Sequence, residues 1–121
     1  MINQKYTADT LAALPDAELD ALAAKVKGWN LWQGFWNTAD GKQVQPGGLR
    51  AIDWQPTRDA NQAFALLSYA VKQGADFMVR MGGNRPRIVI FGETLITIPG
   101  TADARAMTIA FILAMQEVSN G

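Results

Sequence analysis

DFMVRMGGNRPRIVIFGETLITI, residues 76–98, decides the fold. Two runs rich in Val, Ile, Phe and Met, DFMVRM and RPRIVIF, flank the loop Gly82-Gly83-Asn84, and TLITI follows the turn signal Gly92-Glu93. Short runs of this kind separated by Gly-containing loops read as strands joined by hairpins. Strands are predicted at 76–81, 87–91 and 94–98, forming an antiparallel meander.

Downstream, Thr101 or Asp103 starts a helix whose residues 106–115, AMTIAFILAM, include one polar side chain, Thr108. A helix so apolar must be covered nearly all round, by the sheet and either a neighbouring helix or a second subunit. A homodimer or higher homo-oligomer is the expectation. Upstream, DWQPTRDANQAFALLSYAVKQG (53–74) has Pro56 ahead of a helix, Thr57 or Asp59 as cap and an Asp59–Gln62 capping box. Its predicted buried stripe is Ala60, Ala63, Phe64, Leu67 and Val71, and Gly74 is its stop. LPDAELDALAAKVKGW (14–29) gives an earlier helix with Asp16 as N-cap, Leu19, Leu22, Ala23 and Val26 on one face, and Lys25, Lys27 and Gly28 at its end.

Between these helices KVKGWNLWQGFW (25–36) holds three of the four tryptophans. Gly28 and Gly34 argue against helix, and extended alternation puts Trp29, Leu31 and Phe35 on one side and Asn30, Trp32, Gly34 and Trp36 on the other. A strand over 30–37 turns at Asp40-Gly41 and returns as an irregular arm before Pro46-Gly47-Gly48. On this reading Trp29 and Phe35 belong to the core, and Trp54, like Trp29, seals the sheet against a helix. Trp32 and Trp36 then need other cover: the third helix, a partner subunit, or a stacked base or other planar ligand. The fold class expected is α+β. An antiparallel sheet packs with three principal helices in the order α-β-β-α-β-β-β-α, as a layered sandwich in a single domain spanning 1–121.

The 121 residues are 49% hydrophobic and 18% charged, which is the balance of a globular domain with a real core. Eleven basic and eleven acidic residues cancel, so no global field draws duplex nucleic acid or an anionic membrane. No apolar run is long enough to span a bilayer, and MINQKYTADT carries no apolar signal core. The absence of cysteine suits a reducing compartment, so the cytoplasm is expected. The absence of histidine as well removes the commonest metal ligands, thiol nucleophiles and neutral-pH bases. No catalytic residue, metal or cofactor is predicted, and the chain reads as a non-enzyme. Asp16, Glu18 and Asp20 lie where a helix start favours negative charge.

Arginines supply the remaining chemistry. Arg80, Arg85 and Arg87 surround Gly82-Gly83-Asn84 with no acid between Asp76 and Glu93, and a planar guanidinium suits phosphate or carboxylate. The plain alternative is solvated charge at a strand end. Thr57 and Arg58 stand at a helix start, where backbone N–H groups favour anions; Asp59 or Asp53 is the ordinary partner for Arg58, and Asp103 for Arg105.

Three stretches, LDALAAKVKGW (19–29), WQPTRDANQAFALL (54–67) and ADARAMTIAFILAMQEV (102–118), resemble small phage proteins of the NinX type and the related phage α/β sandwich domain. The resemblance implies a viral origin and an α/β sandwich, and no reaction. A phage protein with Trp and Arg and no acid–base equipment suits holding a nucleotide without cleaving it. The first functional expectation is therefore sequestration of a nucleotide-derived host immune signal, such as a cyclic nucleotide or cyclic ADP-ribose-type molecule, in the host cytoplasm. Its ligand set would be Trp32, Trp36, Thr57, Arg58, Arg80, Asn84, Arg85 and Arg87. The second is a protein-interaction module that inhibits a host enzyme through a Trp/Arg surface. A ligand site needs rings and arginines to converge in a cavity, whereas a partner surface spreads them over a flat patch.

Overall fold

The structure, a computed structural model, describes residues 6–80, 87–92, 95–98, 100 and 102–120, with the side chains of all but 119 and 120. Among the described residues four α-helices, α1 (Ala8–Ala12), α2 (Asp16–Val26), α3 (Ala60–Lys72) and α4 (Ala104–Asn120), combine with two three-stranded antiparallel sheets. The first sheet is β1 (Asn30–Trp32), β2 (Phe35–Asn37) and β3 (Leu49–Arg50); the second is β4 (Asp76–Arg80), β5 (Arg87–Phe91) and β6 (Ile96–Ile98). The architecture is α+β, and the element order broadly matches that read from the sequence, with α1 and β3 added. The hairpin, however, does not join the meander: it pairs with β3 to make a sheet of its own.

α4 is the centre of the molecule. Residues 106–114 are buried without a break, because α1, α2, α3 and β5 all pack on this helix. Its one polar side chain in that run, Thr108, donates its hydroxyl to the Ala104 carbonyl at 2.9 Å, which satisfies the buried group within the helix. The apolar circumference that motivated an expectation of oligomers is thus covered inside one chain, and gives no argument for assembly.

The helix ends are fixed by identifiable groups. Asp59 caps α3 by accepting from the N–H groups of Asn61 and Gln62. Gln62 does not complete a capping box; its amide accepts from Gln55 N–H and donates to the Asp53 carbonyl, tying α3 to the preceding turn. Asp16 is the first residue of α2, with Pro15 at the cap position. Asp103 accepts from Ala106 N–H at the start of α4, and Arg105 reaches instead to the Asp16 carboxylate and the carbonyls of Ala12 and Leu14. Arg105 therefore locks α4 to the junction of α1 and α2 rather than pairing with Asp103. α1, which the sequence reading omitted, is a five-residue helix with a reciprocal Thr7–Thr10 cap.

The buried stripe of α3 is Ala63, Leu66, Leu67 and Ala70, whereas Phe64 and Val71 are exposed. AFALLSYAV is apolar on almost every face, so periodicity gives the helix but leaves its rotation to the packing partner, here α4.

Candidate functional site

The tryptophan hairpin turns after one strand, not along one. Gln33 and Gly34 both have positive φ, 52° and 82°, which makes a two-residue hairpin loop. Trp32 and Phe35 become direct cross-strand partners, as do Leu31 and Trp36. Residues opposite each other share a face, so the two faces are Leu31–Trp36–Leu49 and Trp32–Phe35–Arg50.

This reverses half of the expected assignment. Trp36 is 3% exposed and belongs to the core, so it has no surface to offer a ligand; Phe35, expected inside, is exposed. Simple alternation over 30–37 fails because a two-residue turn makes positions i and i+3 face-mates. Trp32 stands on the surface as expected, at 67% exposure. Trp29 and Trp54 pack edge to face at 4.9 Å, and the Trp54 indole donates to the Asp20 carbonyl at 2.8 Å, so both belong to the interior packing.

The surface row is held from both sides. A Cβ at Gly48 would lie 2.9 Å from Cδ2 of Phe35, so this glycine, with φ of 82°, lets the ring lie flat on β3's approach. Arg50 follows in the row, its Nε donating to Asp53 at 2.8 Å, and Ile52 is exposed two residues on. The chain thus presents Trp32, Phe35, Arg50 and Ile52 on a short sheet whose reverse side is anchored by Trp36 and Leu49.

Of the other predicted ligand residues, those among the described residues do not join it. Arg80 and Arg87 are cross-strand partners on the outer face of the second sheet; Asn84 and Arg85 lie outside the described residues. Thr57 is buried, and its N–H donates to the Asp20 carboxylate at 2.9 Å. The anion at that turn is thus the chain's own. Arg58 is exposed and, among the described residues, makes no ion pair, since Asp53 is taken by Arg50 and Asp59 caps α3.

Asp20 and Lys27, read from the sequence as charges suited to the ends of a helix, are drawn into the interior. Asp20 is 5% exposed; burial raises its pKa, partly offset by the Thr57 amide and by the nearby Arg58 charge. Lys27 is half-buried with its ammonium 4.2 Å from the Trp29 ring centre and 5.0 Å from that of Tyr69, and burial lowers its pKa. Asp20 is buried with Ala23 and Ala24 on one side of α2, and Lys27, its C-cap, continues that helical spacing, so including polar residues in the stripe finds both. Both have packing partners that account for their positions.

No family model, curated protein or solved structure matches the chain. The likeness to NinX-type phage proteins stands on the quoted residues alone. No helix among the described residues is long and apolar enough to cross a membrane, and no three of their Asp and Glu side chains cluster as a metal site.

Proposed function

We propose that the chain is a non-catalytic protein-interaction module whose contact surface is the row Trp32–Phe35–Arg50 with Ile52. The observation that carries this reading is Trp32, two-thirds exposed on a hairpin made rigid from behind by buried Trp36. Exposing an indole costs stability that the same side chain would gain in the core, and Trp and Arg are the side chains that most often dominate partner contacts. If the chain is phage-encoded, as the resemblance implies, the partner is a host enzyme in the cytoplasm, blocked by occlusion.

Sequestering a nucleotide asks for different geometry, with a stacking ring and phosphate-binding arginines around one cavity. Trp32 belongs to the first sheet and Arg80 and Arg87 to the second. A cleft of about 360 Å³ between β4, β5 and the end of α4 is lined by Asp76 and Glu117, whose charges repel phosphate.

The test pairs two measurements. Affinity capture from host extract should yield a partner with the wild-type chain that is lost with Trp32→Ala and weakened with Arg50→Glu. A thermal-shift panel of nucleotides, including cyclic dinucleotides and cyclic ADP-ribose forms, should leave the melting temperature unmoved. A nucleotide-induced rise that Trp32→Ala abolishes would reverse the assignment in favour of sequestration.

A further inference from the structure

The outer face of the second sheet is a separate surface with its own pattern. Its three rows, read across the strands, are Asp76–Phe91, Met78–Val89–Thr97 and Arg80–Arg87. Every one of these side chains is exposed except Val89, which is half-buried. Met78 and Phe91, at 47% and 41% exposure, make the apolar part. The opposite face, with Ile88, Ile90 and Ile98, is buried against the helices.

The Arg80–Arg87 row sets two like charges directly across a strand pair, an arrangement that disfavours the sheet unless an anion lies over it. Among the described residues neither arginine makes an ion pair, and the only acid in the three rows, Asp76, stands at the far end. We infer that the occupant of this face is a second copy of the chain, turned over about a two-fold axis lying between the sheets and perpendicular to the strands.

That operation reverses strand direction and leaves strand order unchanged. Met78 and Val89 meet their own copies at the centre. Asp76 of each chain meets Arg80 of the other, and Phe91 of each meets Arg87, as an ion pair and a cation–π contact respectively. A C2 contact must be self-complementary, and the three rows have an apolar centre flanked by mutually attractive ends. No comparable match arises if the strands are laid parallel, since that sets Arg80 and Arg87 over Arg80 and Arg87.

Size limits the strength. Three strands about 4.8 Å apart and five residues of about 3.4 Å present a face of roughly 250 Å² per chain, well under the roughly 800 Å² per partner of a standard specific interface. The dimer is therefore weak and concentration-dependent, forming towards millimolar chain. Its residues are distinct from those of the Trp32 surface, which belongs to the other sheet.

Sedimentation velocity on the full chain from micromolar to millimolar concentration is the test, with thermal melts to check that these exposed substitutions leave the fold intact. Wild type should move from monomer to dimer, and Asp76→Arg and Arg80→Asp should each weaken self-association about tenfold or more, because each converts two attractions to two repulsions. Mixing those two variants should restore a dimer, since both cross-contacts become attractive in the mixed pair. A wild-type chain that stays monomeric throughout, variants that dimerise as well as wild type, or a mixture no better than its components would each overturn the assignment. So would a dimer abolished by Trp32→Ala and untouched by Asp76→Arg.

Discussion

The two sheets have the same number of strands and the same antiparallel order, yet they are stabilised differently. The second pairs two five-residue strands in full register and buries Ile88, Ile90 and Ile98 against the helical layer. The first has strands of three, three and two residues, and buries Trp36 and Leu49 alone among its strand residues. Sheets this small are marginal without an anchor. The comparison teaches that one side chain can do for a short sheet what a whole face does for a longer one, leaving its other face free to carry exposed rings.

Removing that anchor should break the first sheet and spare the second. Trp36→Ala is expected to cost about 3–5 kcal/mol, the range for truncating a buried large aromatic. Amide hydrogen exchange should then find protection lost across β1–β3 while β4 and β5 keep theirs. Trp36→Phe should cost less than half as much, because among the described residues the buried indole N–H has no hydrogen-bond partner to lose. Equal losses of protection in both sheets would mean that they unfold as one unit.

Gly48→Ala probes the same sheet from its third strand. It forces a side chain into positive φ and against the Phe35 ring, and about 1–3 kcal/mol is expected. Denaturant titration of Gly48→Ala with and without Phe35→Ala separates the two causes. The ring contact should vanish in the double variant and the backbone strain persist.

Much of the second sheet was legible in the sequence and half of the first was not, for a physical reason. Residues 87–91 alternate so that Ile88 and Ile90 face in and Arg87 and Phe91 face out, and a period of two suffices to read them. In the hairpin the period of two was right within each strand, but Gln33, a non-glycine residue at positive φ, begins a turn that the alternation passed straight through. Gly34 was the available signal, read as a break in helix but not as a reversal of strand. Alternation therefore puts Trp32 on the surface, where it stands, but puts Trp36 on the wrong side and does not bring Phe35 and Arg50 beside Trp32. Thr57 was misjudged because its anion, Asp20, is 37 residues distant in sequence and belongs to another helix.

Asp20 is buried on α2, and its titration offers a smaller effect with a definite sign. Burial raises the folded-state pKa above the ordinary 3.8, so over the pH range just above that value the folded chain binds a proton that the unfolded chain has released. Stability from this group therefore falls as pH rises through the window and levels off above the folded pKa. Asp20→Asn keeps an acceptor for the Thr57 N–H and removes the charge. Measured by chemical denaturation, its stability relative to wild type should increase as pH rises from about 4 and then reach a plateau. A relative stability that decreases over that range would mean that the Thr57 hydrogen bond and the Arg58 charge outweigh burial.

The smallest expected effect is on the most exposed aromatic ring, and it tests the comparison most directly. Trp32→Ala removes a side chain that is 67% exposed and whose cross-strand partner, Phe35, is itself exposed. The core loses nothing, so the change in unfolding free energy should stay below about 1 kcal/mol, close to that of surface substitutions generally. The cross-strand Trp–Phe pair sets the upper limit, since such pairs contribute roughly 0.2–1 kcal/mol. The size of this effect against that of Trp36→Ala is what gives the hairpin two sides with separate tasks. Comparable losses for the two rings would make Trp32 part of the anchor and leave the proposed surface without its central residue. A loss confined to Trp36, with partner capture abolished by Trp32→Ala, assigns stability to one face of the hairpin and recognition to the other.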